Sequence, residues 1–154
     1  MPTVTLTQQN FDAVVASNPI VLVDWWATWC GPCKYFAPVY DASSDRHPEI
    51  VHGKVDVDAE VTLTTAARVT QYPTLMAFRE GMLVYSQAGA LAADALEDLV
   101  QQIRWLDMDQ VRREVARQSD TQQLATTAAS ASGSGGSDRK AGPAPQPRYG
   151  WPGL

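Results

Sequence analysis

Hydrophobic and polar positions divide the first 106 residues into short strand-like and helix-like stretches. Apolar runs and alternations predict five strands, at residues 4–6, 20–26, 50–57, 74–79 and 82–88. Helical spacing predicts one helix that is capped by Thr7 and ended by Asn18-Pro19, and others at residues 34–47, 58–69 and 92–106. The order β-α-β-α-β-α-β-β-α indicates an α/β fold. We expect a mostly parallel sheet, covered by helices on both faces and closed by an antiparallel hairpin.

The pattern changes after residue 106. Asp107 can cap a short extra helix over residues 107–118. From residue 119 to 154 the chain consists mainly of Ala, Ser, Thr, Gly, Gln and Pro, with few large apolar side chains. Such a segment buries too little surface to offset its ordering entropy, so we expect it to be disordered. The predicted organisation is a domain at 1–106, a short helix and a tail.

Composition narrows the class of protein. The 154 residues are 45% hydrophobic, enough for one sizeable core, and the net charge is −5. Because no strongly basic face is apparent, binding to nucleic acid is not expected. The N-terminal residues lack the pattern of a signal peptide, and residues 20–29 are too short to span a bilayer. We therefore expect a cytoplasmic protein with no membrane association.

Both cysteines of the chain lie together, in Cys30-Gly31-Pro32-Cys33. The preceding strand ends near Trp29, which puts Cys30 at the start of a helix, where unpaired N–H groups and the helix dipole stabilise a thiolate. Cys30 would then attack a disulfide, and a more buried Cys33 would resolve the product. Pro32 suits the first helical turn, and Gly31 leaves the sulfur accessible. In a reducing cytosol this spacing is typical of redox or metal chemistry, although an inert pair is the alternative.

A zinc site is the rival interpretation. Cys30 and Cys33, followed by His47 and His52, match the spacing of a two-Cys, two-His finger. Pro48 stops the helix between the histidines, so they cannot share one helical face. We expect no metal site, and we expect both histidines to be surface residues beside a helix–strand turn.

A carboxylate interrupts the most apolar strand. Asp24 lies within Val-Leu-Val-Asp-Trp-Trp, where burial would raise its pKa. A carboxyl group of that kind behind Cys33 could exchange the proton that the resolving step requires. The residue type alone leaves open the alternative that Asp24 points outward or bonds a backbone turn.

The active-site stretch from Val23 to Lys34, with its Trp-Cys-Gly-Pro-Cys, resembles that of the thioredoxin family. The resemblance continues through further short motifs and covers roughly residues 2–105; these motifs are Phe36-Ala37-Pro38, Lys54 to Asp58, Tyr72-Pro73-Thr74, Phe78 to Gly81 and Ala88 to Leu91. It implies a thioredoxin-like three-layer fold with a mixed central sheet flanked by helices.

The resemblance also implies residue roles. Cys30 would attack and Cys33 would resolve, while Asp24 would be the buried carboxyl group and Lys54 would modulate it. Pro73 would be cis, and the backbone of the preceding residue would pair with an extended substrate. A flat apolar surface around Cys30 would bind the substrate through Trp29, Gly31, Pro32, Tyr72, Gly89 and Ala90. Tyr72 departs from the Ile, Val or Thr usual in the family, and an aromatic ring there could narrow the range of substrates.

The implied activity is that of a protein-disulfide reductase. Oxidised protein substrates would be reduced by a monomer that itself binds no cofactor. A thioredoxin-reductase-type flavoprotein drawing on NADPH would then restore the dithiol. Two alternatives remain open, a thiol oxidase or isomerase on the same fold and a non-catalytic interaction module. Gly31-Pro32 between the cysteines favours the reductase.

Overall fold

The computed structural model describes residues 3–131 and divides them into two compact units, with the boundary between Leu106 and Asp107. The elements of the first unit follow the predicted order. They are β1 (Thr3–Thr5), α1 (Phe11–Ser17), β2 (Ile20–Trp26), α2 (Gly31–Arg46), β3 (Val51–Asp56), α3 (Val61–Ala66), β4 (Thr74–Arg79), β5 (Met82–Ala88) and α4 (Ala93–Arg104).

The five strands form one mixed sheet in the order β1-β3-β2-β4-β5. β3 pairs in parallel with β1 and with β2, whereas β4 runs antiparallel to both β2 and β5. The central position of β2 explains its continuous apolar run, because a strand between two others with helices on both faces exposes neither side. The predicted α/β class and mixed sheet are confirmed.

The sheet separates two hydrophobic cores. Val21, Val23 and Trp25 of β2 point to one face, where α1 and α3 contribute Phe11 and Leu63. Leu22 points to the opposite face, where the core includes Phe36 and Tyr40 of α2, and Leu96 and Val100 of α4. The alternation of side chains along β2 thus supplies both cores and produces the three layers.

Two helices begin later than predicted. α1 begins at Phe11, with Asn10 as its N-cap residue and no side-chain cap; the carbonyl of Thr7 accepts the N–H of Phe11 at 3.0 Å. Asp58 was expected to cap α3, which instead begins at Val61. The Asp56 carboxylate accepts the N–H groups of Asp58 and Ala59 and forms a separate turn before the helix.

The second unit contains one helix, α5 (Met108–Ala131). Its start is as predicted, since the Asp107 carboxylate accepts the N–H groups of residues 109 and 110. The helix continues well past the predicted end at residue 118. Alanine favours helix, and the hydroxyl of Thr121 donates to the carbonyl of Arg117 inside the helix, so the polar residues there do not interrupt it. The remainder of the predicted tail, 132–154, lies outside the described residues.

Among the helices between residues 3 and 131, none is both long enough and apolar enough to cross a membrane.

Candidate active site

The two cysteines form a disulfide at the first turn of α2. Cys30 occupies the N-cap position with extended backbone, and its Sγ accepts the N–H of Cys33 at 3.2 Å. Pro32 lies in the first turn, where a missing N–H leaves no hydrogen bond unmade. The same N–H that contacts the sulfur in the disulfide is positioned to stabilise a thiolate after reduction.

Both cysteines are nearly buried. The exposed fractions are 5% for Cys30 and 4% for Cys33, so the difference in burial predicted between them is slight. The tight turn of Cys30-Gly31-Pro32-Cys33 draws both sulfurs against the core. Gly31 and Pro32 are exposed. Apart from its chain neighbours and the adjacent helix backbone, no atom lies within 4 Å of the position that a Cβ would take at Gly31. Access to the disulfide is therefore open on the glycine side.

A loop that contains a cis proline lies against the disulfide. The Tyr72-Pro73 peptide bond is cis, and the carbonyl oxygen of Tyr72 lies 3.4 Å from Cys30 Sγ. The carbonyl of Pro73 accepts the N–H of Gly89 at 2.8 Å. Gly89 has a φ of 111°, a conformation that a residue with a side chain rarely adopts. The structure thus brings Cys30, Tyr72, Pro73 and Gly89 together as predicted.

Trp29 forms the exposed rim of the site. Its residue surface is 66% exposed, and its indole N–H donates to the Asp58 carboxylate at 3.0 Å. The ring also meets the Tyr72 ring edge-to-face, with centroids 5.9 Å apart. The sequence does not link Asp58 to Trp29, because two residues 29 positions apart show no periodicity that connects them. Asp58 and Tyr72 together hold the indole beside the disulfide.

Asp24 is buried in β2, with 1% of its surface exposed. Its Oδ1 has no hydrogen-bond partner among residues 3–131. Burial raises the pKa of this carboxyl group from 3.8 to about 7; the Lys54 charge opposes the rise and the Asp41 charge adds to it. The alternative that Asp24 points outward is thereby excluded. At neutral pH the group is poised to gain or lose a proton.

A cavity of about 260 Å³ adjoins Asp24. Its lining includes Asp24, Cys33 and Lys54, together with Trp26, Ala27, Thr28, Lys34 and Ala37. Lys54 of β3 is the register partner of Asp24 of β2 in the sheet. The Lys54 ammonium lies 5.3 Å from the centroid of the Trp26 ring. The cavity therefore gathers the buried carboxyl group, the second cysteine and an ammonium group around one space.

The two histidines are buried, contrary to the prediction. His52 is fully buried, and its ring contacts Ser43 Oγ and the Ile50 carbonyl, each at 3.1 Å. His47 Nε2 lies 2.8 Å from a Glu97 carboxylate oxygen. Ser43 on α2 and Glu97 on α4 give the buried rings hydrogen-bond partners. The sequence pattern does not reveal that these residues lie beside the histidines. Among the residues described, no cluster of three or more His, Cys, Asp or Glu side chains is arranged to hold a metal ion.

Comparison with known proteins identifies the family. The thioredoxin family model matches residues 2–102. The chain belongs to the thioredoxin family. A protein named putative thioredoxin 2 from Streptomyces coelicolor is 50% identical over 116 residues, which cover 75% of this chain and 87% of that one. A solved structure of Plasmodium falciparum thioredoxin has a TM-score of 0.60 at 36% identity and covers 64% of this chain and 96% of that one.

A second kind of relative is also similar. Human protein disulfide-isomerase A4 is 46% identical over 83 residues, which cover 51% of this chain but only 13% of that protein. Membership of the thioredoxin family and the Cys30–Cys33 disulfide together establish a thiol–disulfide oxidoreductase that reduces protein disulfides.

Proposed function

We propose that this chain is a cytoplasmic electron donor to oxidised proteins, in which Cys30 attacks, Cys33 resolves and Asp24 carries the proton. The observation that supports it most strongly is the position of Cys30. Its sulfur is the N-cap of α2, in contact with the Cys33 N–H and 3.4 Å from the cis-proline loop. Cys30 Sγ, the proposed nucleophile, thus contacts both the N–H group that would stabilise its thiolate and the loop that would bind the substrate backbone.

In the first step, the Cys30 thiolate attacks one sulfur of the substrate disulfide. A Cys30–substrate disulfide forms, the substrate S–S bond breaks, and the other substrate sulfur leaves as a thiolate. The exposed face around Gly31 and Pro32 leaves room for that approach. The surface that would receive the substrate combines the Trp29 ring, the Tyr72 backbone and the turn at Gly89 and Ala90.

In the second step, Cys33 attacks Cys30 Sγ. The Cys30–Cys33 disulfide forms, the mixed disulfide breaks, and the second substrate thiolate leaves, so that two electrons have passed to the substrate. Cys33 must first lose its thiol proton. Asp24 can accept it across the shared cavity, because burial holds the pKa of that carboxyl group near 7. Lys54 lines the same cavity and favours the ionised carboxylate that this transfer requires.

The disulfide that results must be reduced before another cycle. We propose that a thioredoxin-reductase-type flavoprotein, using NADPH, supplies those two electrons, so that the chain serves in electron transport. In this scheme the Cys30–Cys33 dithiol carries the electrons, so the proposed cycle does not require a nucleotide site on this chain. We further propose that residues 1–106 alone carry the activity, since every residue of the candidate site lies in the first unit.

Cysteine variants test this proposal directly. The reduction of a model protein disulfide by the full chain, with dithiothreitol as the terminal reductant, should be abolished in Cys30→Ser. In the absence of dithiothreitol, the pre-reduced Cys33→Ser chain should instead accumulate a covalent complex with the substrate, because the resolving thiol is missing, and added dithiothreitol should release it. Unchanged reduction by Cys30→Ser would contradict the proposal.

An oxidase or isomerase is the second candidate. The similarity to human protein disulfide-isomerase A4 is the observation that favours it. The two candidates differ in the stability of the Cys30–Cys33 disulfide, because a reductase holds a stable disulfide and an oxidase a labile one. The redox equilibrium of the pair therefore separates them.

A further inference from the structure

A second cavity, of about 250 Å³, lies between the turn after α3 and the end of β5. We call it the α3–β4 groove; it is lined by residues 67–71, by Thr74 and Met76 of β4, and by Ser86, Gln87 and Ala88 of β5. Thr74 pairs with Ala88, and Met76 with Ser86, so these four side chains point to one face of the sheet. That face also carries the core formed with α1 and α3, because Met76 belongs to it.

The groove begins where the candidate active site ends. Thr74 follows Pro73 directly, and Ala88 directly precedes Gly89. The hydrogen bond from the Gly89 N–H to the Pro73 carbonyl joins the two strands at this point. A substrate segment paired with the Tyr72 backbone would therefore place a neighbouring side chain at the mouth of the α3–β4 groove.

Arg68 stands on the turn that forms one wall of the groove. Its backbone has a φ of 58°, in the left-handed region that disfavours residues with a Cβ atom. The Arg68 N–H donates to the Thr65 carbonyl, and the Val69 N–H to the Thr64 carbonyl, so the turn is held in place. A glycine would adopt this conformation without strain. The arginine is a conformational cost to folding, which suggests a functional role for its side chain.

The charge of Arg68 has no counterpart in the groove. Within residues 3–131, it is the only charged residue that lines the cavity, and it forms no ion pair. The rest of the lining is polar or apolar, and it includes Gln71 and Ser86, whose side chains can donate hydrogen bonds. An exposed guanidinium with neutral donors nearby is suited to a carboxylate.

We propose that Arg68 is a specificity-determining residue that favours oxidised protein substrates with an Asp or Glu close to the attacked cysteine. The inference rests on the proposed function, because it assigns a substrate preference to that same reaction. The acidic side chain enters the α3–β4 groove and pairs with the Arg68 guanidinium, while the attacked disulfide lies at Cys30. Lysine at the same substrate position is repelled.

Synthetic peptides with one intramolecular disulfide test the preference. Glu, Gln or Lys is placed in turn at each of the three positions on either side of the attacked cysteine, and the reduced full chain reacts in single turnover. At one or more positions, Glu should raise the second-order rate constant about threefold over Gln, the effect of one exposed ion pair. The preference should shrink in high salt, because the charges are exposed.

Variants of Arg68 decide whether the side chain is responsible. Arg68→Gln should make the Glu and Gln peptides react equally, and Arg68→Glu should favour the Lys peptide. Arg46→Glu is the matched control for Arg68→Glu, since both change the net charge by the same amount but Arg46 lies at the opposite end of α2 from the cysteines. It should keep the preference for Glu. Arg68→Gly should also lose the preference while melting at a higher temperature, which separates lost specificity from misfolding.

Three outcomes would overturn the inference. Equal rates for Glu and Gln peptides in the unaltered chain would show that no acidic preference exists, although reduction itself would still support the proposed function. If the Arg68→Gln variant kept the preference for Glu peptides, another part of the molecule would be its source. Failure of the reduced chain to react with any peptide would contradict the proposed function as well.

Discussion

Asp24 and His52 are two polar side chains in the same core, and they differ in what surrounds them. Asp24 lies on β2 and His52 on the neighbouring β3, both beneath α2, and neither exposes more than 1% of its surface. His52 has a polar partner for each ring nitrogen, Ser43 and the Ile50 carbonyl. Asp24 has an oxygen without a partner among the described residues and borders the cavity that Cys33 also lines.

The difference separates a structural polar group from a reactive one. A buried group with all of its hydrogen bonds made stabilises one arrangement of the core. A buried carboxyl group that lacks partners destabilises its own charged form, which raises its pKa into the range useful for proton transfer. Replacing the two residues should therefore have opposite effects on stability, and only one replacement should slow the reaction.

The largest expected effect is on stability at alkaline pH. The pKa of Asp24 is about 7 in the folded chain, against 3.8 for the free group. Between these values the folded chain holds a proton that the unfolded chain releases, so stability falls as pH rises and levels off above pH 7. Asp24→Asn should thus raise the free energy of unfolding by about 4 kcal/mol at pH 8 and by almost nothing below pH 4.

Denaturant unfolding of both proteins across this range measures that gain. A gain of equal size at pH 4 and pH 8 would show that burial of the ionised carboxylate is not its cause.

The next effect is on the reaction. Asp24→Asn removes the proposed proton acceptor and should slow disulfide reduction at pH 7 by about a hundredfold, the lower end of what a positioned acid or base contributes. Single-turnover kinetics should show that formation of the mixed disulfide is retained and its resolution is slow. His52→Leu is the matched control and should keep the full rate. Equal slowing in both variants would mean that packing, and not proton transfer, is responsible.

His52→Leu should lower stability instead. The substitution leaves the Ser43 hydroxyl and the Ile50 carbonyl without their ring partners, which should cost about 2 kcal/mol at pH 7.5. The free energy of unfolding from denaturant curves provides the measurement. A variant as stable as the parent chain would show that these hydrogen bonds add nothing beyond apolar packing.

The smallest expected effect comes from protonation of His52. Burial lowers the pKa of this ring below its usual 6.5. The unfolded chain therefore binds a proton first, and stability falls as pH drops through 6.5 until the folded ring is protonated too. Because Asp24 contributes the opposite slope below pH 7, the effect is best measured in the Asp24→Asn variant. Adding His52→Leu to that variant should flatten the pH dependence of the free energy of unfolding. An unchanged slope would show that another group causes this dependence.

The sequence predicted the features that depend on local pattern. The apolar run of β2 left Asp24 either buried or pointing outward, and the resemblance to the thioredoxin family favoured burial. The spacing of Cys30 and Cys33 after that strand placed them at a helix start. Burial of His52 was missed because its partner Ser43 lies on another element, and a polar residue's burial depends on such partners. The hydrogen bond from Trp29 to Asp58 was missed because it is a tertiary contact. The backbone conformation of Arg68 was missed because the geometry of its turn determines it.

The equilibrium of Cys30 and Cys33 against a graded glutathione buffer, read by thiol alkylation, tests the reductase assignment most directly. We predict a disulfide that becomes half reduced only below about −250 mV, which is typical of a good electron donor. A pair already half reduced at about −180 mV or above would be an oxidant and would contradict the reductase assignment.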